Sequence, residues 1–444
     1  MSRATHPPPP VAALEAAWAL VDRPDYRKLM ASAQQSLEVR VTGEGAALAG
    51  IKVVFYLRDA GGMIWAARGK TDGRGRVRQR VPAGFTVAFV RAVPYAGFWS
   101  ALRRIAPRAR AVTIACPRHV EAGRGGGAWW HRVLGVDTRD AARGAGIRVG
   151  VLDTGCGPHP NLRHVVSVGV FEQGRWRRRA KAVDVDPQGH GTHTTGIIGA
   201  RPRRRGDYAG LAPGCALFHA RVCKSREEDI APRSVARAIR VLARDYACDL
   251  INMSLGGGPP SKAEKAAIAY AFARGTLCIC SAGNTSRSSN GRLSSKVDHP
   301  AAFRQCVAVS AIGRAGRPRA PAGTWSAHQR PQSKAHRGRD GLFLAATSKF
   351  GMRLACAAPG VGIVSTVPKR VRVRVRRPYM EMDGASMASA AACGALAVIL
   401  SRNGGYLSLP RNGARAAAAR SLLVAHCRSL GLAAKYQGHG HPRA

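Results

Sequence analysis

Four short apolar runs constrain this chain most: Gly146–Leu152, Ala216–Val222, Cys248–Met253 and Leu277–Ala282. Each is short for a buried helix and lacks the polar alternation of a sheet wetted on one face, so each reads as a strand buried on both faces. Amphipathic stretches near Ala231–Tyr246 and Lys262–Gly275 lie between them and read as helices. Strand, helix, strand in alternation implies an α/β fold, a parallel sheet covered by helices on both faces. In such sheets, reactive residues gather at the carboxyl ends of the strands.

The chain before these runs has another character. Residues 1–36 form a helical, Pro-rich extension, with Pro7 to Pro10 ahead of a stretch 11–35 that reads as helical. From Leu37 the pattern alternates in short runs: Leu37–Thr42, Ile51–Leu57, Met63–Lys70, Arg76–Val81, Phe85–Val93 and Ala109–Cys116. Turn signals such as Gly61-Gly62 and Thr71-Asp72-Gly73 separate them. This is the pattern of a small all-β sandwich over residues 37–117, expected as a retained accessory domain, with a removed pro-region as the alternative. The string Leu48-Ala49-Gly50-Ile51-Lys52-Val53 with Thr71-Asp72-Gly73 resembles the carboxypeptidase-regulatory and transthyretin-like sandwich modules. A Gly-rich linker, 118–128, precedes the α/β region, 129–444, which opens on a predicted helix from Trp129 to Ala142.

Charge sets the chain apart from an average globular protein. Lys+Arg number 70 against 25 Asp+Glu, a formal +45, and 58 of the basic residues are arginine. Such an excess attracts acidic protein, nucleic acid or anionic lipid. The competing explanation is compositional, since Ala, Gly and Pro are abundant alongside Arg, and few aromatics interleave with the arginines as a nucleic-acid platform would need. The eleven cysteines include no CxxC pair and no spaced ligand set, which argues against a disulfide framework and a structural zinc site. They read as reduced thiols. With no secretory apolar region and no stretch long enough to span a membrane, the expected location is cytoplasmic.

Two strand ends and two helix starts carry reactive residue types. Asp153-Thr154-Gly155 follows the first apolar run, Gly189-His190-Gly191-Thr192-His193 opens a helix, and Ser281-Ala282-Gly283-Asn284 ends the fourth run. Asp383-Gly384-Ala385-Ser386-Met387-Ala388-Ser389 then leads into an apolar run reaching Leu400. A serine at a helix N-terminus sits where free N–H groups favour developing negative charge. Taken singly, Asp153, His190, Asn284 and Ser386 could each be a cap or a turn residue.

Together, in the order Asp, His, Asn, Ser, these stretches resemble the subtilisin-like serine proteases, over about Trp129 to Leu432. Ile251-Asn252-Met253-Ser254-Leu255-Gly256-Gly257 resembles the family's cleft-lining strand, Ala358-Pro359-Gly360 its approach to the nucleophile, and Ala416–Gly431 its closing helix. The resemblance implies the subtilisin-like three-layer fold and a serine endopeptidase acting on protein or peptide. It casts Ser386 as nucleophile, His190 as general base, Asp153 as the residue orienting it, and Asn284 as oxyanion donor. Ser254, Leu255 and Gly256 would bind an extended substrate. Asp298, in Asp298-His299-Pro300, would floor the primary specificity pocket and favour Arg or Lys there.

Departures accompany the match. Ala385 stands where the family usually has Thr, and Ala390 where it usually has Pro. The interval from Asn284 to Ser386 is long, and Arg314–Ala346 reads as a surface loop absorbing it. Calcium often stabilises this family, but Ala200-Arg201-Pro202-Arg203-Arg204-Arg205-Gly206-Asp207 is cationic, so no calcium is expected there; the resemblance leaves calcium open elsewhere, with no site identifiable, and implies no other cofactor. Arg370 to Arg376 alternates Arg with Val, a ribbon that would meet acidic substrate residues or simply guard an edge. The rival to a protease is a catalytically impaired scaffold of the same fold, an adaptor binding acidic protein or another polyanion through its arginines.

Overall fold

A computed structural model describes residues 11–119, 122–178, 185–224, 230–287, 293–294, 296–316, 323–369 and 378–444. The Arg370–Arg376 ribbon lies outside the described residues. Two compact units emerge: Met1–Val120 with Thr285–Ser294 and Pro318–Arg330, and Glu121–Asn284 with Ser295–Arg317 and Pro331–Ala444.

The first unit is built on two sheets. In one, β1 (Gln35–Gly43) is flanked by β4 (Arg76–Val81), antiparallel, and β7 (Ala111–Ala115), parallel. In the other, β2 (Lys52–Arg58) lies between β3 (Ile64–Lys70) and β5 (Thr86–Val93), and β6 (Ala101–Arg104) extends it from β5. Strand alternation places Leu37, Val39 and Val41 of β1 in one buried cluster with Val53, Phe55 and Leu57 of β2. The 11–35 stretch is less helical than its composition suggests. Helices cover Val11–Glu15 and Tyr26–Ala31, and Trp18–Ala19 between them pairs parallel with Trp65–Ala66 of β3.

The supposed surface loop at 314–346 is not one throughout. The Leu102 N–H donates to the Gly323 carbonyl at 2.8 Å, the Trp325 N–H to that of Ser100 at 2.8 Å, and the Arg91 guanidinium lies 3.8 Å from the Trp325 ring centroid. Trp325 is 1 % exposed. Its indole is buried with the Arg91 guanidinium over its face, a placement that Pro/Arg/Ser-rich flanks disguise in the sequence.

The second unit carries a sheet whose parallel strands are β8 (Arg148–Asp153), β9 (Val166–Glu172), β11 (Ala216–Arg221), β12 (Leu250–Met253), β13 (Leu277–Ser281), β14 (Cys306–Arg314) and β16 (Leu354–Pro359), in the order β9-β11-β8-β12-β13-β14-β16. Two antiparallel additions, β10 (Arg175–Arg177) on β9 and β15 (Leu342–Leu344) on β14, border it. Two apolar clusters pack on this sheet. One gathers Ile239 and Leu242 of α2 (Pro232–Arg244) with Ile268 of α3 (Lys262–Ala273), and the other gathers Ile197 of α1 (His190–Gly199) with Leu396 of α4 (Ala385–Ser401). Every residue from Ala385 to Leu400 is buried. A helix apolar on all sides must be interior, and its many alanines let neighbouring backbones come close.

The predicted helix over Trp129–Ala142 is much shorter, Trp129–Val133. Gly135 turns the chain with φ +70°, and a side chain there would meet Arg443 and the Ala444 carbonyl at 2.7 and 2.9 Å. The closing helix α5 spans Gly413–Ala425. Among the described residues no helix is long and apolar enough to cross a membrane.

Candidate active site

Asp153 is the last residue of β8, at the carboxyl edge of the sheet, and His190 is the first of α1. His190 Nδ1 lies 2.6 Å from Asp153 Oδ1, with both side chains within 3 % of full burial. The Thr154 N–H donates to the same oxygen at 2.8 Å, and Thr194 Oγ1 donates to Oδ2 at 3.1 Å. Burial alone would push the Asp153 carboxyl up; the facing imidazole and these donors outweigh it and hold the group below the usual carboxylate range.

A second carboxylate, not singled out in the sequence, locks the pair. Asp186 accepts from Thr154 Oγ1 and the Gly189 N–H through Oδ1, both at 2.8 Å, and from the Thr192 N–H at 2.8 Å and Thr192 Oγ1 at 2.7 Å through Oδ2. It thus caps the N-terminus of α1 and holds the turn after Asp153. The Gly191 N–H donates in turn to Thr154 Oγ1 at 2.9 Å. At Gly191 a β-carbon would stand 2.2 Å from the Gly155 carbonyl oxygen, so only glycine lets the two segments approach. The legible signal was an acid four residues before a helix-opening histidine.

Two further histidines border the pair and stay neutral. His193 is pushed down to about 3 by burial, and its Nε2 donates toward the Ile363 and Met380 carbonyls at 3.1 and 2.9 Å. His219 is pushed down to about 4 by burial despite the nearby Asp153 and Asp186, and its Nδ1 pairs with Thr195 Oγ1 at 3.1 Å.

Ser386 lies in the first turn of α4, buried to 4 % exposure. Its Oγ donates to the Ser254 carbonyl at 3.2 Å, and Ser254 Oγ returns a bond to the Ser386 carbonyl at 2.8 Å. Asn252 Nδ2 donates to Ser254 Oγ at 3.0 Å. His190 Nε2 is buried and makes no hydrogen bond, so in this conformation Ser386 is turned to the end of β12 and not to the imidazole. Apo sites commonly show such loose nucleophile geometry. Asn284, after β13, reaches the same turn: its Oδ1 accepts the Ala385 N–H at 3.0 Å. Gly384 has φ +150°, and a β-carbon on it would stand 3.2 Å from Asn284 Nδ2, so glycine makes room for the amide.

The predicted substrate-binding residues divide. Leu255 and Gly256 continue from Ser254, with the Gly257 N–H on the His299 carbonyl at 3.2 Å. Asp298, expected to floor the primary specificity pocket, lies 2.7 Å from Lys349 Nζ, whose side chain is 6 % exposed. A buried ammonium compensates the charge on which a preference for Arg or Lys was predicted, and its distance in sequence hid it. In the 200–207 stretch, Asp207 Oδ2 accepts the N–H groups of Arg203 and Arg204 at 3.1 and 3.0 Å, so its only carboxylate is engaged amid four arginines. Among the described residues no three His, Cys, Asp or Glu side chains converge.

The model of the Subtilase family matches residues 144–440. Among similar proteins, Subtilisin DY of Bacillus licheniformis is 30% identical over 261 residues, 59% of this chain and 78% of that protein. The Major intracellular serine protease of Bacillus subtilis (strain 168) is 28% identical over 260 residues, 58% of this chain and 70% of that protein. Subtilisin BL of Lederbergia lenta is 28% identical over 260 residues, 59% and 78% of the two chains. With a carboxylate–imidazole pair at the sheet's carboxyl edge and a serine opening a buried helix, on a family match covering well over half its length, this chain belongs to the subtilase family of serine endopeptidases.

Proposed function

We propose that this endopeptidase cleaves peptide bonds through Ser386, His190 and Asp153, by way of an acyl-enzyme. The observation that carries the reading is the buried 2.6 Å contact of His190 with Asp153, which leaves Nε2 as the open nitrogen of the ring. Nδ1–H donates to the carboxylate, so Nε2 is the basic nitrogen. Rotation of Ser386 Oγ away from the Ser254 carbonyl would bring its proton to Nε2 as Oγ attacks the substrate carbonyl. Asp153 then stabilises the imidazolium, and Nε2–H passes the proton to the leaving amine. Water, deprotonated by the same nitrogen, releases the acyl group.

Negative charge develops on the carbonyl oxygen beside the α4 N-terminus, where the Ser386 N–H and Asn284 Nδ2 are the proposed donors. Asn284 Oδ1 is engaged by the Ala385 N–H, which orients the amide with Nδ2 as the remaining donor. Losing such a donor costs about 100- to 1000-fold in rate, a magnitude known from subtilisin itself. Ala385 supplies no side-chain hydroxyl to assist. Leu255 and Gly256 would add substrate as a strand. All eleven cysteines are free thiols, nine of them buried, and on that ground we place the work of this protein in a reducing compartment such as the cytoplasm.

A fluorophosphonate probe tests the reading. The wild-type chain should be labelled and should cleave casein, and Ser386→Ala should do neither. Failure of the wild type to label, or labelling that persists in Ser386→Ala, would overturn it in favour of an inert scaffold.

A further inference from the structure

The first unit presents a cationic face that no part of the catalytic reading uses. Leu37, Val39 and Val41 of β1 are at most 1 % exposed, so Ser36, Glu38 and Arg40 between them point outward. The antiparallel register sets Arg80 of β4 across from Ser36, Arg78 across from Glu38 and Arg76 across from Arg40. On the other flank β7 sets Ala111 beside Glu38 and Thr113 beside Arg40. Arg40, Arg76, Arg78 and Arg80 are all exposed.

Glu38 is the only acid at these positions, and it lies 3.8 Å from Arg76 and 3.7 Å from Arg78. Arg76 and Arg78 thus lie beside Glu38, with Asp72 just ahead of β4 also accepting the Arg76 N–H at 2.8 Å, while Arg80 Nη2 donates to the Ala33 carbonyl at 3.4 Å; four cations face two carboxylates. Arg40 directly opposite Arg76 is a like-charge cross-strand pair, which weakens a sheet; an anion lying between them would remove that repulsion. Alternate residues on a strand repeat at about 6.8 Å, the period of Arg76, Arg78 and Arg80. An extended peptide has the same period, so carboxylates at its alternate positions meet successive arginines in register. Guanidinium groups bind carboxylates in a two-pronged geometry. Nucleic acid fits less well, because among the described residues the face offers no aromatic side chain on which a base could stack.

We infer that this face captures extended acidic segments of protein substrates through Arg40, Arg76, Arg78 and Arg80. The inference rests on the endopeptidase reading for the word substrate, and on the face alone for the binding.

The test uses the full chain carrying Ser386→Ala and a fluorescent twelve-residue peptide alternating Glu and Ser, read by anisotropy in 50 mM salt. The peptide should bind; an alternating Gln and Ser control should not. Arg76→Thr, Arg78→Thr and Arg80→Thr combined should weaken binding about tenfold or more. Threonine suits an exposed strand, and an unchanged melting curve shows that the unit is folded. No binding of the acidic peptide, equal binding by the triple variant, or tighter binding of a twelve-nucleotide oligothymidine would overturn the inference. In the otherwise wild-type chain, the triple variant should raise KM for a substrate bearing an acidic tail about tenfold, with kcat and fluorophosphonate labelling unchanged. Absence of labelling sinks the protease reading while the anisotropy result still decides the face.

Discussion

Arginine does different work in the two units. In the second, Arg415 is 6 % exposed, with Nε on Asp249 Oδ1 at 2.9 Å and Nη1 on the Tyr406 and Leu409 carbonyls at 3.0 and 2.7 Å. Arg411 reaches the same oxygen at 3.0 Å, and Asp249 also accepts the Arg148 N–H at 2.9 Å. These guanidiniums are structural: they bind α5 to the start of β12. In the first unit, Arg76, Arg78 and Arg80 are exposed on one face, the first two beside Glu38. The basic residues behind the net charge of +45 therefore include two populations, one paired inside the fold and one exposed on its surface. Total charge does not separate them; burial does.

The contrast can be broken at several points, the largest at the catalytic pair. Asp153→Asn should lower kcat by about 10⁴-fold, by holding His190 in the wrong tautomer, with little loss of stability; steady-state kinetics beside a urea titration reads both. Next, Arg415→Met should cost about 3 kcal/mol or more, because it leaves Asp249 buried with a weaker set of partners. A loss below about 1 kcal/mol in urea unfolding would mean that Arg411 alone compensates Asp249.

Asp186→Asn should cost about 2 kcal/mol, since an amide cannot accept all four bonds that the carboxylate accepts. It should also lower kcat with KM little changed, because what it disturbs is the placing of His190 against Asp153. Equal kcat in a variant of lowered stability would make Asp186 structural only.

Opposite in sign, and touching stability alone, is Glu264→Gln. Burial pushes this carboxyl up to about 7, above its unfolded value near 4.5. As pH rises from about 4.5 to about 7 the unfolded chain ionises first, so wild-type stability falls through that window and stays lowered above it. Glutamine does not titrate. The variant should gain about 2 kcal/mol at pH 8 and nothing at pH 4, which thermal unfolding at the two values would show. Smallest of all, Arg78→Thr should shift stability by less than about 0.5 kcal/mol. A larger loss would move that face into the structural population and remove the ground for the docking inference.

How far the sequence reaches is clearest from particular elements. The apolar runs at 146–152, 216–222, 248–253 and 277–282 appear as Arg148–Asp153, Ala216–Arg221, Leu250–Met253 and Leu277–Ser281. A strand buried on both faces leaves an unbroken apolar signature. The strand Ala101–Arg104 was not read, because an edge strand half exposed carries two arginines and no alternation to detect. The helix expected over Trp129–Ala142 fails at Gly135, where the chain's own C-terminus packs against the turn. Trp325 was missed for a similar reason: its neighbours are polar, and the surface it covers comes from residues more than 200 positions away.

What the sequence alone determined is whatever short spacing and residue type encode: the parallel sheet, the strand end at Asp153, the helix starts at His190 and Ser386, and the family these motifs mark. What only the tertiary structure decided is pairing across long intervals. Lys349 beside Asp298, Asp186 beneath both Thr154 and the start of α1, and Ser386 turned toward Ser254 are contacts that no local pattern announces. A charge or a hydroxyl takes its role from what lies within about 3 Å of it, and that neighbour is chosen by the fold.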